Sequence, residues 1–174
     1  PFEIRPYRSE DFYSLYKICL LTADSGGDAT HLYSDKKLIG NYYAAPYAVF
    51  EQDVCFMVTE NGLACGYIIG CKSSQKFSEL CEQNWFPVLR EHYPSDTVES
   101  NASAQNIISL IHDGYQPRPE YENYPAHLHI NLLTHVQGQG LGKQLMATFI
   151  DNLKKLKVLG VHLEVAATNS SAIA

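Results

Sequence analysis

The stretch "HLHINLLTHVQGQGLGKQL", residues 127–145, decides the fold of this chain. Its first seven residues form an apolar run typical of a strand, and the residues from Leu141 onward follow the spacing of an amphipathic helix. Between the two lie Gly138, Gly140 and Gly142. Such a turn exposes backbone N–H groups at a helix N-terminus, where the helix dipole favours phosphate. A glycine connection that merely packs the helix close to the sheet explains the same letters, so the motif alone leaves both interpretations open.

The segments after this turn complete a β-α-β unit. "GLGKQLMATFIDNLKKLKVLG", residues 140–160, predicts a long helix with Gly160 as its C-terminal cap, and "VHLEVAA", residues 161–167, predicts a strand. The helical spacing predicts one buried stripe, made of Leu141, Leu145, Thr148, Phe149, Leu153 and Leu156.

Three more strands are predicted upstream. "FEIRPY", residues 2–7, alternates as a first strand. "VCFMVTE" and "LACGYIIG", residues 54–60 and 63–70, are joined by Asn61-Gly62, a pair that favours positive φ and predicts a tight antiparallel hairpin.

Helical spacing occupies the rest of the first half. "DFYSLYKICLLT", residues 11–22, predicts a first helix, and "KKLIGNYYAAPY" predicts a short one that must end before Pro46. "KFSELCEQNWFPVLREHY" predicts a helix with a break near Pro87. The proline-rich segment of about 77–125 is interpreted as a lid-like insertion folded over a site.

Composition excludes several classes of protein. A chain of 174 residues is expected to be a single domain, 1–174. Its formal net charge of -6 repels a phosphate backbone, so we expect no nucleic-acid partner and a lean toward a cationic ligand such as an amine. No apolar run is long enough to span a bilayer, so no membrane partner is expected.

The chain's beginning and its cysteines point to the cytoplasm. Pro1 is a plausible start after removal of an initiator methionine, and nothing near it resembles a signal peptide. The five cysteines form an odd set without a Cys-x-x-Cys pair, which predicts neither a disulfide framework nor a metal site. We expect them to be reduced and mostly buried: Cys19, Cys55, Cys65, Cys71 and Cys81.

Two familiar phosphate loops do not match the glycine turn. A Walker A loop requires glycine where Gln137 stands and Ser or Thr where Gln144 stands. A Rossmann turn requires G-x-G-x-x-G early in a β-α-β-α-β half, whereas the spacing here is G-x-G-x-G and comes late in the chain.

"QGQGLG", residues 137–142, matches the Q/R-x-x-G-x-G/A motif, and with the order of elements it resembles the GNAT superfamily of acetyl-CoA-dependent acetyltransferases. The resemblance implies an α/β fold of the α+β type, with a mixed, mostly antiparallel sheet, splayed fourth and fifth strands and flanking helices. A narrower similarity, in "CFMVTENGLACGYIIG", "NWFPVLREHYP" and the segment 20–50, is to bacterial GNAT proteins related to the acetyltransferase-like C-terminal domain of O-GlcNAcase.

The resemblance also implies a site for acetyl-CoA as co-substrate. The backbone around Leu132 and Leu133 would pair with the pantetheine arm, and Asn169 would contact the pantetheine or the thiol end. The turn would hold the pyrophosphate through Gln137, Gly138, Gln139, Gly140, Gly142 and Lys143. In this superfamily the Asn169 position is followed by a helix and two more strands, and the helix carries a tyrosine that serves as the general acid. The sequence stops at "NSSAIA" before them, so no general acid is assigned.

Three side chains are candidates for acid-base chemistry. His127 and His129 alternate on one strand, share a face and, with ordinary pKa values near 6.5, suit a proton relay at neutral pH. "AHLH" also resembles the His-x-His pair of arylalkylamine acetyltransferases. Satisfied histidines bonded to the insertion are the alternative. Glu164 is a rival base if partly desolvated, although an outward-facing or ion-paired glutamate explains it equally.

The first long loop is the expected acceptor site. Asp24, Asp28 and His31 lie there, and an acidic pair could clamp an amine, although capping aspartates in a glycine turn explain the same letters. Tyrosines crowd the candidate lid segments and suit arylamines or sugars as well as ordinary packing.

The leading hypothesis is an N-acetyltransferase acting on a primary amine of a small molecule, an amino sugar or a peptide. The alternative is a non-catalytic binding module of the same fold, which holds a peptide or a sugar. A homodimer is one further interpretation, because an open sheet edge invites pairing.

Overall fold

The computed structural model describes residues 1–164 and contains one five-stranded sheet. The strands lie side by side in sequence order: β1 (Phe2–Pro6), β2 (Phe56–Glu60), β3 (Leu63–Cys71), β4 (Ala126–Leu132) and β5 (Val161–His162). The first four are antiparallel neighbours, and β5 runs parallel to β4. The sheet is therefore mixed and mostly antiparallel, as the resemblance implies.

Seven helices cover the sheet within the described residues: α1 (Phe12–Thr22), α2 (Leu38–Tyr43), α3 (Ala45–Phe50), α4 (Ser74–Asn84), α5 (Phe86–His92), α6 (Ala102–Asp113) and α7 (Leu141–Lys155). Helices α1 to α6 share one apolar core with one face of the sheet, and α7 packs on the opposite face with a second core. The result is three layers. None of these helices is long and apolar enough to cross a membrane.

Local signals account for the hairpin and the glycine turn. Asn61 and Gly62 adopt φ values of 52° and 82° between β2 and β3, so the tight antiparallel hairpin is confirmed. Gly138 and Gly140 adopt φ values of 76° and 79°, and Gly140 is the N-cap of α7. Side chains rarely tolerate this left-handed region, which explains the glycines.

The prediction for the end of α7 is wrong. The helix ends at Lys155, and Lys157 rather than Gly160 adopts the left-handed conformation, with φ 59°. Gly160 serves a close approach instead, because a Cβ there would lie 2.8 Å from the carbonyl oxygen of Asn123. Leu156 is 42% exposed, and the buried stripe is limited to Leu141, Leu145, Phe149 and Leu153.

The prolines divide two predicted helices. The first helix of the 36–47 segment ends at Tyr43, before Pro46 as predicted, but Pro46 then lies in the first turn of α3, where its missing N–H costs nothing. Trp85 separates α4 from α5, and Pro87 again lies in a first turn. The break near Pro87 is therefore confirmed.

The segment 77–125 contributes to the core as well as to a cleft. Helices α4, α5 and α6 place Phe77, Phe86 and Ile108 in the larger core. Among the described residues of this segment, only the part after α6 reaches the cleft described below, through Tyr115, the exposed residues 116–118 and the half-buried Tyr121. That part alone has the position expected of a lid.

Strands β4 and β5 separate almost at once. Within residues 1–164, β5 pairs with β4 only at Ala126 and His127. The amide of Ala126 donates to Gly160 on the β5 side, whereas that of Leu133 donates to Cys65 on the β3 side. The backbone N–H groups alternate in direction along a strand. Those of Leu128, Ile130 and Leu132 therefore point toward the gap between β4 and β5.

Candidate active site

An aromatic cleft opens where β4 and β5 separate. Its volume is about 220 Å³. The wall combines β4, β5, the helices α2 and α3 and the residues after α6. Its rings belong to Tyr42, Tyr43, Tyr47, Tyr115, Tyr121, His127, His129 and His162. Both predicted histidines therefore face one cleft.

Tyr47 joins the two histidines. Its Oη lies 2.6 Å from Nε2 of His127 and 3.1 Å from Nε2 of His129. The tyrosine belongs to α3, is only 1% exposed and stacks on Phe77 with ring centroids 4.4 Å apart. Core packing therefore fixes its hydroxyl between the imidazoles.

Ser74 extends this chain of hydrogen bonds. Its Oγ lies 2.6 Å from Nδ1 of His127 and 3.0 Å from the carbonyl oxygen of Pro125. Ser74 opens α4, while the neighbouring Ser73 caps that helix by accepting from the amide of Lys76. The ring of His127 is thus held at both nitrogens.

The hydrogen bonds are consistent with two proton arrangements. A carbonyl oxygen only accepts, so when Ser74 donates to Pro125 it accepts from Nδ1–H of His127. Tyr47 then donates to Nε2 of His127 and accepts from Nε2–H of His129. When Ser74 donates to His127 instead, the bond from its hydroxyl to Pro125 is lost and both bonds of Tyr47 reverse. In either arrangement the hydroxyl of Tyr47 connects the two imidazoles by two hydrogen bonds, along which a proton can be exchanged.

Nδ1 of His129 is the end of the relay that reaches the cleft. It has no hydrogen-bond partner in residues 1–164. The ring of His129 is half-buried and lines the cleft. In the first arrangement it carries a lone pair that can accept a proton from a molecule in the cleft.

Cys71 also touches His127 but is not a credible nucleophile. Its Sγ lies 3.2 Å from Nδ1 of that histidine. The residue is fully buried, and burial raises the pKa of its thiol far from the neutral range. A thiolate is the reactive form, so a covalent route through Cys71 is disfavoured. All five cysteines are free and buried, as predicted.

The histidines are neutral, contrary to the expectation of ordinary pKa values. Burial, with smaller effects of His129 and His162, lowers the pKa of His127 to about 3. Burial lowers the pKa of His129 to about 4. Desolvation disfavours the charged imidazolium in both cases. The pair is therefore a proton acceptor of low basicity at neutral pH.

These shifts predict how stability depends on pH. Below about pH 6.5, His127 and His129 bind protons in the unfolded chain but stay unprotonated in the folded one. The free energy of unfolding should therefore be unaffected above pH 6.5 and fall as the pH decreases toward about 4, by about 1.4 kcal/mol per pH unit for each histidine. Urea unfolding at pH 7 and pH 5 measures this loss.

Matched variants isolate the two histidines in that measurement. The double variant His127→Gln/His129→Gln should lose much less stability between the two pH values than the unsubstituted chain. His31→Gln removes an imidazole that is 64% exposed and should leave the loss unchanged. An equal loss in all three proteins would contradict the assignment.

The glycine turn presents unpartnered amides. The N–H groups of Gly138, Gly140, Gly142 and Lys143 donate to no acceptor in the described part of the chain. A Cβ at Gly138 or Gly140 would touch nothing within 4 Å, so their left-handed backbone, not crowding, requires glycine. Lys143 is exposed beside them. Four donors and a cation at a helix N-terminus suit a phosphate group.

The side chain of Gln137 holds this turn in place through two hydrogen bonds. Its Nε2 donates to the carbonyl oxygen of Leu132 at 2.9 Å and to that of Gly26 at 3.1 Å. Gln139 points away and donates to His135 at 3.2 Å. Gly26 in the first long loop therefore helps to hold the turn that suits a phosphate. Gly26 and Gln137 are far apart in the sequence, so the sequence alone does not reveal this contact.

The two leucines before the turn differ in availability. The amide of Leu133 donates to Cys65 at 2.9 Å, so it is not free to pair with a ligand. Leu132 directs its N–H toward the splay, as the alternation along β4 requires. The free backbone edge therefore falls at Leu132.

Glu164 is exposed and ion-paired. It follows β5, its side chain is 55% exposed, and its Oε1 lies 3.4 Å from Nε of Arg118. The structure matches the ion-paired, outward-facing interpretation, because the carboxylate is more than half exposed and faces a guanidinium.

The first-loop candidates lie outside the cleft. Asp28 accepts from the amide of Thr30 at 2.8 Å, so it is a capping aspartate. Asp24 lies 3.6 Å from His31, and both side chains are at least half exposed. None of the three lines the aromatic cleft. Asn169 lies outside the described residues.

Comparisons with known proteins bear on the fold and on the family. No protein-family model matches the chain. The crystal structure of SsHAT aligns with a TM-score of 0.90 and 33% identity, over 99% of this chain and 86% of that one. A GNAT family acetyltransferase from Brucella melitensis in complex with acetyl-CoA aligns with a TM-score of 0.52 and 12% identity, over 99% and 81% of the two chains. This second likeness is one of fold alone.

A curated relative is much longer than the chain. Protein O-GlcNAcase of Rattus norvegicus is 28% identical over 167 residues, which cover 94% of this chain. The same residues span only 18% of the O-GlcNAcase. The likeness therefore concerns one part of that protein.

Proposed function

Because the chain belongs to the GNAT superfamily, we propose that it is an N-acetyltransferase that moves an acetyl group from acetyl-CoA to a primary amine. The amine belongs to a small molecule, an amino sugar or a peptide, and attacks directly. One observation carries the proposal. The same strand, β4, brings two hydrogen-bonded histidines to a cleft and ends at a turn with four unpartnered amides.

The residues of the turn fit the cofactor. The amides of Gly138, Gly140, Gly142 and Lys143 would hold the pyrophosphate, with Gln137 fixing their direction. The free backbone edge at Leu132 would pair with an amide of the pantetheine arm. Bound there, acetyl-CoA supplies the acetyl group as a thioester. The contact proposed for Asn169 stays a prediction.

The histidines would handle the proton of the amine. Nδ1 of His129, which reaches the cleft, accepts the proton as the amine nitrogen attacks. Tyr47 then passes a proton from Nε2 of His129 to Nε2 of His127 without any ring moving, because all the atoms concerned are already in hydrogen-bond contact. Ser74 keeps His127 in place during the transfer.

Glutamine variants of the histidines test this role. His129→Gln is expected to lower kcat for amine acetylation about 100-fold, because a positioned base contributes at least about that factor. His127→Gln should lower it by a similar factor. Calorimetric titration should find acetyl-CoA affinity unchanged in both, since the turn lies elsewhere. His31→Gln, an exposed histidine outside the cleft, is the control.

Two outcomes would overturn parts of the proposal. Unchanged rates in both variants would remove the histidines from the mechanism. Tight binding of acetyl-CoA without turnover of any amine would identify a binding module rather than an enzyme.

A further inference from the structure

The wall of the cleft is aromatic and holds almost no charge. Its accessible rings include Tyr43, Tyr115 and Tyr121, each of which is half-buried. Tyr121 stacks on His162, with ring centroids 4.3 Å apart and an angle of 20° between the planes. Among the described residues that line the cleft, Arg118 is the one cation and Glu164 the one carboxylate. Flat apolar faces therefore dominate the space beside His129.

The single carboxylate is already neutralised. Glu164 pairs with Arg118 at 3.4 Å, and both side chains are more than half exposed at the mouth of the cleft. An ammonium group that entered would meet the guanidinium as well as the carboxylate. The described wall thus provides no carboxylate left over to compensate a positive charge, which a buried ion requires.

Burial also disfavours positive charge in the interior of the cleft. The burial that keeps His127 and His129 uncharged would also act on an ammonium ion placed beside them. A base of such low basicity is poorly suited to deprotonate an alkylammonium ion before attack. It is well suited to a nitrogen that becomes acidic only during attack.

We infer that the acceptor is an aromatic amine whose nitrogen is uncharged at neutral pH, held flat between the tyrosine rings of the cleft. This inference rests on the proposed acetyl transfer and narrows its substrate. It departs from the cationic ligand that the overall charge of -6 suggests, because the cleft and not the outer surface contacts the reacting nitrogen.

The reaction balances without another reactant. The nitrogen lone pair of the amine forms the new C–N bond to the acetyl carbon, and the C–S bond to coenzyme A breaks. The nitrogen loses one proton to Nδ1 of His129, and the histidine relay returns one proton through the same atom to the departing thiolate. The products are the N-aryl acetamide and free CoA, and the protein ends unchanged.

Two isomers test the inference directly. 4-Methylaniline and benzylamine have the same atoms and one ring each, but the first is uncharged at neutral pH and the second is an ammonium ion. With acetyl-CoA at saturation and pH 7, we expect kcat/KM for 4-methylaniline to exceed that for benzylamine by at least about tenfold. Calorimetric titration of each amine into the CoA complex should show the same order of affinity. Trifluoroethylamine, uncharged but without a ring, should bind more weakly than 4-methylaniline.

A charge variant provides a second test. Arg118→Gln leaves the carboxylate of Glu164 without its guanidinium partner. The ratio of kcat/KM for 4-methylaniline to that for benzylamine should therefore fall about threefold, mainly because benzylamine binds more tightly. Arg8→Gln removes the same charge near the exposed end of β1, at the opposite edge of the sheet, and should leave the ratio unchanged.

The outcomes separate the inference from the proposed function. Acetylation of benzylamine at least as fast as 4-methylaniline would overturn the inference and leave acetyl transfer intact. Preferential binding of 4-methylaniline to the CoA complex without acetylation of any amine would support the selectivity and overturn the enzyme. Equal or absent binding of both isomers, without turnover, would overturn both. Trifluoroethylamine bound as tightly as 4-methylaniline would overturn the requirement for a ring.

Discussion

Replacing Tyr47 with phenylalanine is expected to lower kcat about 100-fold while the KM for the amine and the affinity for acetyl-CoA stay nearly constant. The variant keeps the ring that stacks on Phe77 and removes only the hydroxyl that joins the imidazoles. Without it, His129 cannot pass its proton to His127, and the contribution of proton transfer is lost. Steady-state kinetics with calorimetric titration of acetyl-CoA measures both effects.

A second buried tyrosine provides the control for Tyr47→Phe. Tyr67 on β3 is also fully buried, and its hydroxyl contacts Cys19 rather than the cleft. Each variant should lose about 1–3 kcal/mol of stability, because a buried partner is left without its hydrogen bond. Only Tyr47→Phe should lower kcat. An equal loss of rate in both variants would mean that the hydroxyl of Tyr47 is structural.

Replacing Gly140 with valine is expected to weaken acetyl-CoA binding about 100-fold. A β-branched residue cannot readily adopt φ 79°, so the turn must change shape and withdraw at least one amide from the pyrophosphate. Hydrogen bonds to a charged group contribute about 1.5–3 kcal/mol each, and about 2.7 kcal/mol corresponds to a factor of 100. Calorimetric titration with acetyl-CoA and with free CoA measures the change.

Gly62 offers a matched control for that variant. It adopts φ 82° in the β2–β3 hairpin, and a Cβ there would also touch nothing within 4 Å. Gly62→Val should therefore cost comparable stability and leave acetyl-CoA affinity unchanged. If both variants bind with the affinity of the unsubstituted chain, the turn does not hold the pyrophosphate.

The sequence predicts the parts of this fold that depend on near neighbours. The Asn61-Gly62 hairpin, the strand before the glycine turn and the shared face of His127 and His129 all follow from spacing within a few residues. The end of α7 does not, because Lys157 adopts a left-handed conformation that glycine was expected to supply. Propensity is a weak guide where tertiary contacts decide.

The site escapes sequence reasoning for a different reason. Tyr47 and Ser74 lie 80 and 53 residues from His127, and only the packing of α3 and α4 on β4 brings the three together. No sequence motif marks Tyr47 or Ser74, and Tyr47 is one of many tyrosines in the candidate lid segments. The low pKa values of the histidines depend on burial, and the ion pair of Glu164 depends on a loop near residue 118.

The location of Tyr47 has a consequence for how proteins of this fold can diversify. The centre of the proposed proton path is a core residue, stacked on Phe77, so altering it means repacking the interior. The mouth of the cleft is a loop whose residues 116–120 are exposed, so their side chains can change at little cost in stability. New acceptor preferences can therefore be acquired at the mouth by single substitutions, while the inherited chemistry beneath is left untouched.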